Sequence, residues 1–400
     1  MTSIVFYFQA HQPNRLRRGY PTGPGTEPDY FDDALNERIL RRVADRGYRP
    51  MNAVLAEVID ATEGRFRCAF SLSGTLLTQL ERWAPDALES FVDLAATGNV
   101  ELLTETSHHS LAYRDDPDEF VAQIESHTDR IEALFGRRPT TFRNTELIFD
   151  DRVARVVESL GFRALLGEGA DRLLRGRSPQ QVYRPASCRE LRLLLRSYVF
   201  SDDIAFRFSN RQWPAYPLFA ETFARWLDEV PRSATFIGLF MDYETFGEHQ
   251  WTETGIFEFM RHLPGHILEN PRFDFATPAE VAERHEPVAE IHTPREVSWA
   301  DAERDVSAWL GNPMQREAHA SLYALGPRVK EAARRGHPEL LDVWRNLTTS
   351  DHVYWMATKW HSDGEVHEYF APYYSPHDAF LLFIRALDDL AERVDRARAE

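Results

Sequence analysis

Short apolar and β-branched runs recur along the chain with helix-like segments between them. They are Ile4–Phe8, Arg67–Leu72, Asn99–Leu103, Thr140–Arg143, Arg163–Leu166, Leu191–Leu195, Thr235–Met241 and Phe273–Ala276. This strand-then-helix rhythm predicts an α/β fold. Runs such as TFIGLFM at 235–241 are apolar on consecutive positions, without alternation. That is the pattern of parallel strands covered on both faces, and either a barrel or a doubly wound sheet satisfies it. No G-x-G-x-x-G turn follows any run and no P-loop is present. A dinucleotide or nucleotide cradle therefore has no support, and the barrel is preferred.

After about Pro287 the strand rhythm stops. Between Asp301 and Lys330, Pro313 follows Asn312 at a first-turn position, and Ala318, Leu322, Leu325 and Val329 share one helical face. The last helix is predicted with Ser375 as N-cap, Pro376 in its first turn and Phe380, Phe383, Ile384, Leu387 and Leu390 at three-to-four spacing. Between these helices, Thr349 to Pro376 is crowded with aromatic, His and Asp residues and lacks helical period. A loop of that composition often lines a site. The expected organisation is a catalytic barrel over 1–287 and a helical domain over 288–400 that lends the barrel a loop near 349–376.

Composition narrows the function. Four hundred residues allow one large or two unequal domains, and 43% hydrophobic with 27% charged residues excludes disordered, collagen-like and coiled-coil chains. A net charge of −17 repels phosphate backbones and anionic lipid, so neither nucleic acid nor a membrane surface is an expected partner. The two cysteines, Cys68 and Cys188, cannot build a disulfide framework or a cysteine zinc site and fit free thiols in a reducing compartment. The N-terminus lacks signal-peptide features and no run approaches the roughly 18 apolar residues of a membrane span. A cytoplasmic location is expected.

In parallel barrels the reactive groups sit where strands end. The first run ends in Gln9, His11, Gln12 and Pro13, and the third in Glu105, His108 and His109. The fourth ends in Arg143, Asn144 and Glu146, and the run at 235 in Asp242, Glu244, Glu248 and His249. In an extended chain His108 and His109 point to opposite sides, so at most one of them faces a site. Two carboxylates from different strands, Glu146 and Asp242, are what a retaining glycosidase needs, about 5 to 5.5 Å apart. One must stay ionised and the other must hold a proton. Arg143 and Asn144 beside Glu146 favour the ion, whereas Met241, Tyr243 and Phe246 around Asp242 favour the acid. On pattern alone Glu146 also reads as a helix-start carboxylate ahead of a helix near Asp150, and Asp242 as a strand-end cap of the next turn.

Read together, the rim segments resemble glycoside hydrolase family 57, in particular its α-amylase-like branch. The motifs are HQP at His11–Pro13, GNVELLTETSHHSL at Gly98–Leu111, FRNTELIF at Phe142–Phe149, MDYETFGEHQW at Met241–Trp251 and TSDHVYWMATKW at Thr349–Trp360. The resemblance implies an incomplete seven-stranded (β/α) barrel followed by a C-terminal helical domain, so one of the eight runs stands outside the barrel or is not a strand. It implies Glu146 as nucleophile, Asp242 as general acid/base and retention at the anomeric carbon, with no metal or other cofactor. It further implies substrate contacts from His11, Gln12, His109, Arg143 and Glu244, and from Asp351 or His352. Trp251, Tyr354, Trp355 and Trp360 are candidates to stack on glucose rings. Where related sequences often carry aromatic residues after the Glu-Thr of the second motif, this chain has Ser107 and His108, which leaves His109 as the matching position.

The function expected is a retaining α-glucan hydrolase acting on α-1,4 bonds of an α-glucan or malto-oligosaccharide. A 4-α-glucanotransferase or branching enzyme shares the same covalent intermediate, and a glucan-binding homologue without turnover is a different class. A metal-dependent deacetylase or mannosidase would draw on Asp202 and Asp203. It finds a proline, Pro13, where such sites carry a ligand on the first strand.

Overall fold

The computed structural model describes residues 1–20, 29–359 and 371–399. All eight apolar runs form strands: β1 (Thr2–Ala10), β2 (Cys68–Leu72), β3 (Val100–Leu102), β4 (Thr141–Arg143), β5 (Ala164–Glu168), β6 (Arg192–Arg196), β7 (Phe236–Asp242) and β8 (Phe273–Phe275). Their paired order is β3-β2-β1-β7-β6-β5-β4, all parallel. Just past β3, the Thr104 N–H donates to Thr141 O at 3.1 Å and the Arg143 N–H donates to Thr104 O at 2.9 Å. Among the described residues that bridge is the backbone link between β3 and β4, with the Thr141 hydroxyl also donating to Glu101, and the seven-stranded barrel is incomplete there. The eighth strand stands off the ring: β8 pairs with Thr2–Ile4 of β1, on the edge where β2 takes Phe6–Ala10.

The near-continuous apolar runs are explained by two buried faces. In β1, Val5 and Tyr7 join Ala69, Leu103, Leu166, Leu194 and Phe240 in one cluster inside the ring, whereas Ile4, Phe6 and Phe8 join a second cluster with the surrounding helices. The interior turns polar towards the strands' carboxyl ends, where Gln9, Ser71, Glu105 and Arg143 are buried. Because every ring strand is parallel, all these ends open on one rim.

Beyond the barrel come α1 (Pro313–Arg334), α2 (Pro338–Leu347) and α3 (Pro376–Ala399). Asn312 caps α1 reciprocally, its Oδ1 accepting from Gln315 N at 2.9 Å while Gln315 Oε1 accepts from Asn312 N at 3.1 Å. The Ser375 hydroxyl accepts from Asp378 N at 3.1 Å at the start of α3. The buried faces of these helices share a core with Phe142, Phe149 and Leu193 of the barrel wall. A two-residue parallel pair, Arg184–Pro185 with Glu290–Ile291, was not anticipated and is too short to leave a periodic signal. No described helix is long and apolar enough to cross a membrane.

One glycine fixes the rim. Gly247, two residues beyond the short turn Tyr243–Thr245, has φ +99°, and a Cβ there would lie 2.1 Å from the carbonyl oxygen of Arg46. Both the left-handed conformation and the backbone contact forbid a side chain. Gly247→Ala is expected to destabilise the fold by roughly 2–4 kcal/mol, combining strain with overpacking. A chemical denaturation midpoint indistinguishable from the parent would refute this.

Candidate active site

The strand ends surround a cavity of about 520 Å³, lined among the described residues by His11, Gln12, His109, Glu146, Asp242, Glu244, Asp351, Tyr354 and Trp355, with Arg196 and Trp299 among others. Its size suits a ligand of one or a few sugar rings. Seven of the ten described residues expected to contact substrate, and both expected catalytic carboxylates, therefore share one space. Asp351 reaches it because the antiparallel bridge Ser110–Thr349 and the bond from Ser350 N to His109 O, 3.0 Å, draw the segment after α2 onto the rim.

Three expected contacts are not part of the lining. Arg143 is wholly buried beneath the site, with its guanidinium 5.2 Å from the Trp299 ring centre. Trp251 is 58% exposed and its indole N–H donates to Glu248 O at 3.0 Å. His352 is buried against Trp355 and Phe383, so between it and Asp351 only the latter faces the cavity. Trp360 and part of the 349–376 segment lie outside the described residues.

The two carboxylates occupy opposite environments. Glu146 sits on the turn Thr145–Leu147 with φ +55°, followed by Leu147 at +50°. Two consecutive non-glycine residues in the left-handed region are strained, and the strain aims the Glu146 side chain from the end of β4 into the cavity. Its Oε2 accepts the Trp299 indole N–H at 2.6 Å, and its Oε1 lies 3.2 Å from His109 Nε2. Burial pushes this carboxyl up, but the hydrogen bond and charge of His109, the charge of Arg143 and the Trp299 donor outweigh it and hold the group below its ordinary range.

Asp242 ends β7 and receives no such donors among the described residues. Burial first, then the negative charge of Glu146, pushes it up to about 7 against the opposing pull of Arg143, His109 and Arg196. Glu244, which accepts from the Tyr48 hydroxyl and from His11 N, is pushed up to about 8 by burial and by Asp242.

The two imidazoles stack 4.0 Å apart, 20° from parallel. His11 uses both ring nitrogens, Nδ1 with Ser73 Oγ at 2.6 Å and Nε2 with Asp351 Oδ2 at 2.9 Å. The Asp-His-Ser alignment is not a nucleophile triad: Ser73 is fully buried, does not line the cavity and accepts from Leu76 N as a helix cap. His109 likewise spends both nitrogens on carboxylates, Glu105 and Glu146. His108, its neighbour, bonds Ser107 instead. Asp202 and Asp203 pair with Arg196 and Arg207, and among the described residues no three His, Cys, Asp or Glu side chains are grouped to hold a metal ion.

Sequence reasoning missed Trp299 and Arg196. Trp299 arrives because Val297 and Phe149 exchange backbone bonds at 3.0 Å, and the Ser298 hydroxyl and Trp299 N–H both donate to Glu146 O. Nothing periodic marks that segment. Arg196 ends β6, where the strand-end rule would have found it. It bonds Glu168 at the end of β5 at 3.2 Å and Phe240 O at 2.7 Å.

Comparison with known proteins adds to this geometry. A protein of Methanocaldococcus jannaschii, whose name gives alpha-amylase as a provisional activity, is 41% identical over 395 residues, covering 96% of this chain and 83% of its own length. Among solved structures, the 4-alpha-glucanotransferase of Thermococcus litoralis superposes with TM-score 0.70 at 16% identity, over 96% of this chain and 60% of that one. A branching enzyme of Thermococcus kodakaraensis gives TM-score 0.70 at 15% identity, over 99% and 91%. An alpha-amylase of Thermotoga maritima gives TM-score 0.64 at 14% identity, over 100% and 97%. At such identities these likenesses are of fold. The description of glycosyl hydrolase family 57 matches residues 5–294, most of the chain and nearly all of the barrel, and the chain belongs to that family.

Proposed function

We propose that the protein is a retaining α-glucan hydrolase that cleaves α-1,4-glucosidic bonds by double displacement, with Glu146 as nucleophile and Asp242 as general acid/base. The observation that carries this reading is the opposed electrostatics of two carboxylates on one cavity. Glu146 is held as an anion by Trp299 and His109, and Asp242 is left able to keep a proton near neutrality. In the first step Asp242 gives its proton to the glycosidic oxygen as that bond breaks, and a Glu146 oxygen bonds to the anomeric carbon. In the second, Asp242 takes a proton from water as the water oxygen displaces Glu146 from the same carbon, restoring the anomer.

Asp351, Gln12 and Glu244 are the polar groups proposed to fix the ring at the reacting bond, and Tyr354 and Trp355 the aromatic surface for a neighbouring ring. The barrel, 1–287, is proposed as the catalytic domain and 288–400 as the helical domain that supplies Asp351, Tyr354 and Trp355.

The test is product analysis on maltoheptaose. Shorter oligosaccharides alone, with the α-anomer formed first, support hydrolysis with retention. Longer chains among the products would replace hydrolysis by transfer, and binding without any change in chain length would replace both by a carbohydrate-binding role.

A further inference from the structure

The site contains a carboxylate that no step of the mechanism uses. Glu105, three residues beyond β3, is completely buried and does not line the cavity. It is nevertheless held from every side. Its Oε2 lies 2.7 Å from His109 Nδ1 and 3.5 Å from Arg143 Nη1, and its Oε1 accepts from Gln9 Nε2 at 3.1 Å. The orientation of the Gln9 amide is fixed in turn, because its Oε1 accepts the Tyr7 hydroxyl at 2.9 Å and the Ser71 hydroxyl at 2.7 Å. The Glu105 backbone N–H donates to His127 Nδ1 at 3.3 Å, and His127 Nε2 donates to Leu72 O at 2.8 Å. His109 is as firmly set, with φ +51° and its carbonyl accepting from Ser350 N.

Taking the nucleophile assignment of Glu146 as given, we propose that Glu105 is a positioning residue of the reaction, acting through His109: its buried negative charge keeps His109 doubly protonated, and the His109 Nε2–H then orients Glu146 and holds it as an anion. A neutral imidazole has one N–H and one bare nitrogen, so it can donate to one carboxylate only. Both His109 nitrogens face carboxylate oxygens, at 2.7 and 3.2 Å, and a cation satisfies both. The proton could instead sit on Glu105, but Arg143 beside its Oε2 opposes that placement.

The charged and titratable groups facing His109 are Glu105, Glu146, Arg143, His11, Asp242 and Asp351, and those facing Glu105 include Tyr7, Arg143 and His127. In keeping with the geometry, burial lowers His109 but the bond and charge of Glu105 and the bond to Glu146 overcome it and raise the group to about 9. His11 is moved the other way, first by burial and then by the charge of His109, which suits a neutral ring stacked on a charged one.

The experiment compares Glu105→Gln and Glu105→Asp with the parent enzyme. Glu105→Gln is expected to lower kcat on maltoheptaose about 10- to 100-fold with KM changed less than about threefold, because the residue does not reach the substrate. The acid limb of its pH–rate profile should move up by about one unit, since Glu146 loses a charged donor. Nitrogen NMR of the His109 ring should show both nitrogens protonated at pH 7.5 in the parent and one in Glu105→Gln. Glu105→Asp, which keeps the charge, should restore the acid limb. A lower kcat with an unshifted acid limb and an unchanged His109 spectrum would overturn the proposal, as would a parent His109 with one ring proton at pH 7.5.

The nucleophile is read separately, from the adduct trapped with 5-fluoro-α-glucosyl fluoride. An adduct away from Glu146 overturns the mechanism, whereas an adduct on Glu146 with a parent-like Glu105→Gln profile overturns only the role of Glu105.

Discussion

Glu146→Gln will abolish turnover, lowering kcat on maltoheptaose by at least about 10⁴-fold, and will leave the melting temperature within a few degrees of the parent. Gln keeps the shape of the side chain and a carbonyl oxygen to accept the Trp299 N–H, so the packing around the turn survives. What is lost is the anion that would attack the anomeric carbon, together with the ionic partner of His109. The competing structural role is already filled. Asp150, not Glu146, caps the following helix, its Oδ1 accepting from Arg152 N and Val153 N at 2.9 Å each. A residue kept at φ +55° with no cap to make is strained for another purpose. Residual activity of a few per cent together with a large drop in melting temperature would return Glu146 to a structural role.

The same turn marks how far the sequence could be read. Strands were legible because parallel strands buried on both faces leave apolar runs that no turn chemistry imitates, and β1 with its two clusters is the plainest case. Helix starts were legible where a capping side chain precedes a proline, as at Asn312–Pro313 and Ser375–Pro376. The barrel's strand count was not, because β8 carries the same apolar signature as the ring strands and differs only in which third of β1 it pairs with.

Within the site, motif residues on strand ends were found because the topology itself places them on one rim. Trp299 was hidden because it comes from a segment placed by two backbone bonds to Phe149, an interaction without a side-chain pattern. Burial was also hidden. Arg143 and His109 flank the same carboxylate, yet only His109 reaches the cavity.

Asp242→Ala is the second large effect, and it is selective. Natural glucan, whose leaving group needs a proton, should lose at least about 10³-fold in kcat/KM, whereas α-glucosyl fluoride, whose leaving group needs little help, should lose less than about tenfold in forming the glycosyl-enzyme. The structure removes the alternative of a strand-end cap, since the turn Tyr243–Thr245 that follows Asp242 receives no side-chain cap bond from it.

The pH dependence follows from the two environments. As the proposed nucleophile Glu146 would have to be ionised, so the parent's activity is expected to fall as pH drops through a value below the ordinary carboxylate range. As the proposed general acid Asp242 would have to be protonated, so activity is expected to fall again as pH rises through about 7, where burial and the Glu146 charge have placed it. Removing Asp242 removes the group that titrates on the alkaline side, so the activity left on the fluoride should lose that limb and keep the acid one. An alkaline limb that survives in Asp242→Ala, with equal losses for both substrates, would assign the proton to another group. Glu244, pushed up to about 8 on the same cavity, would be the next to replace.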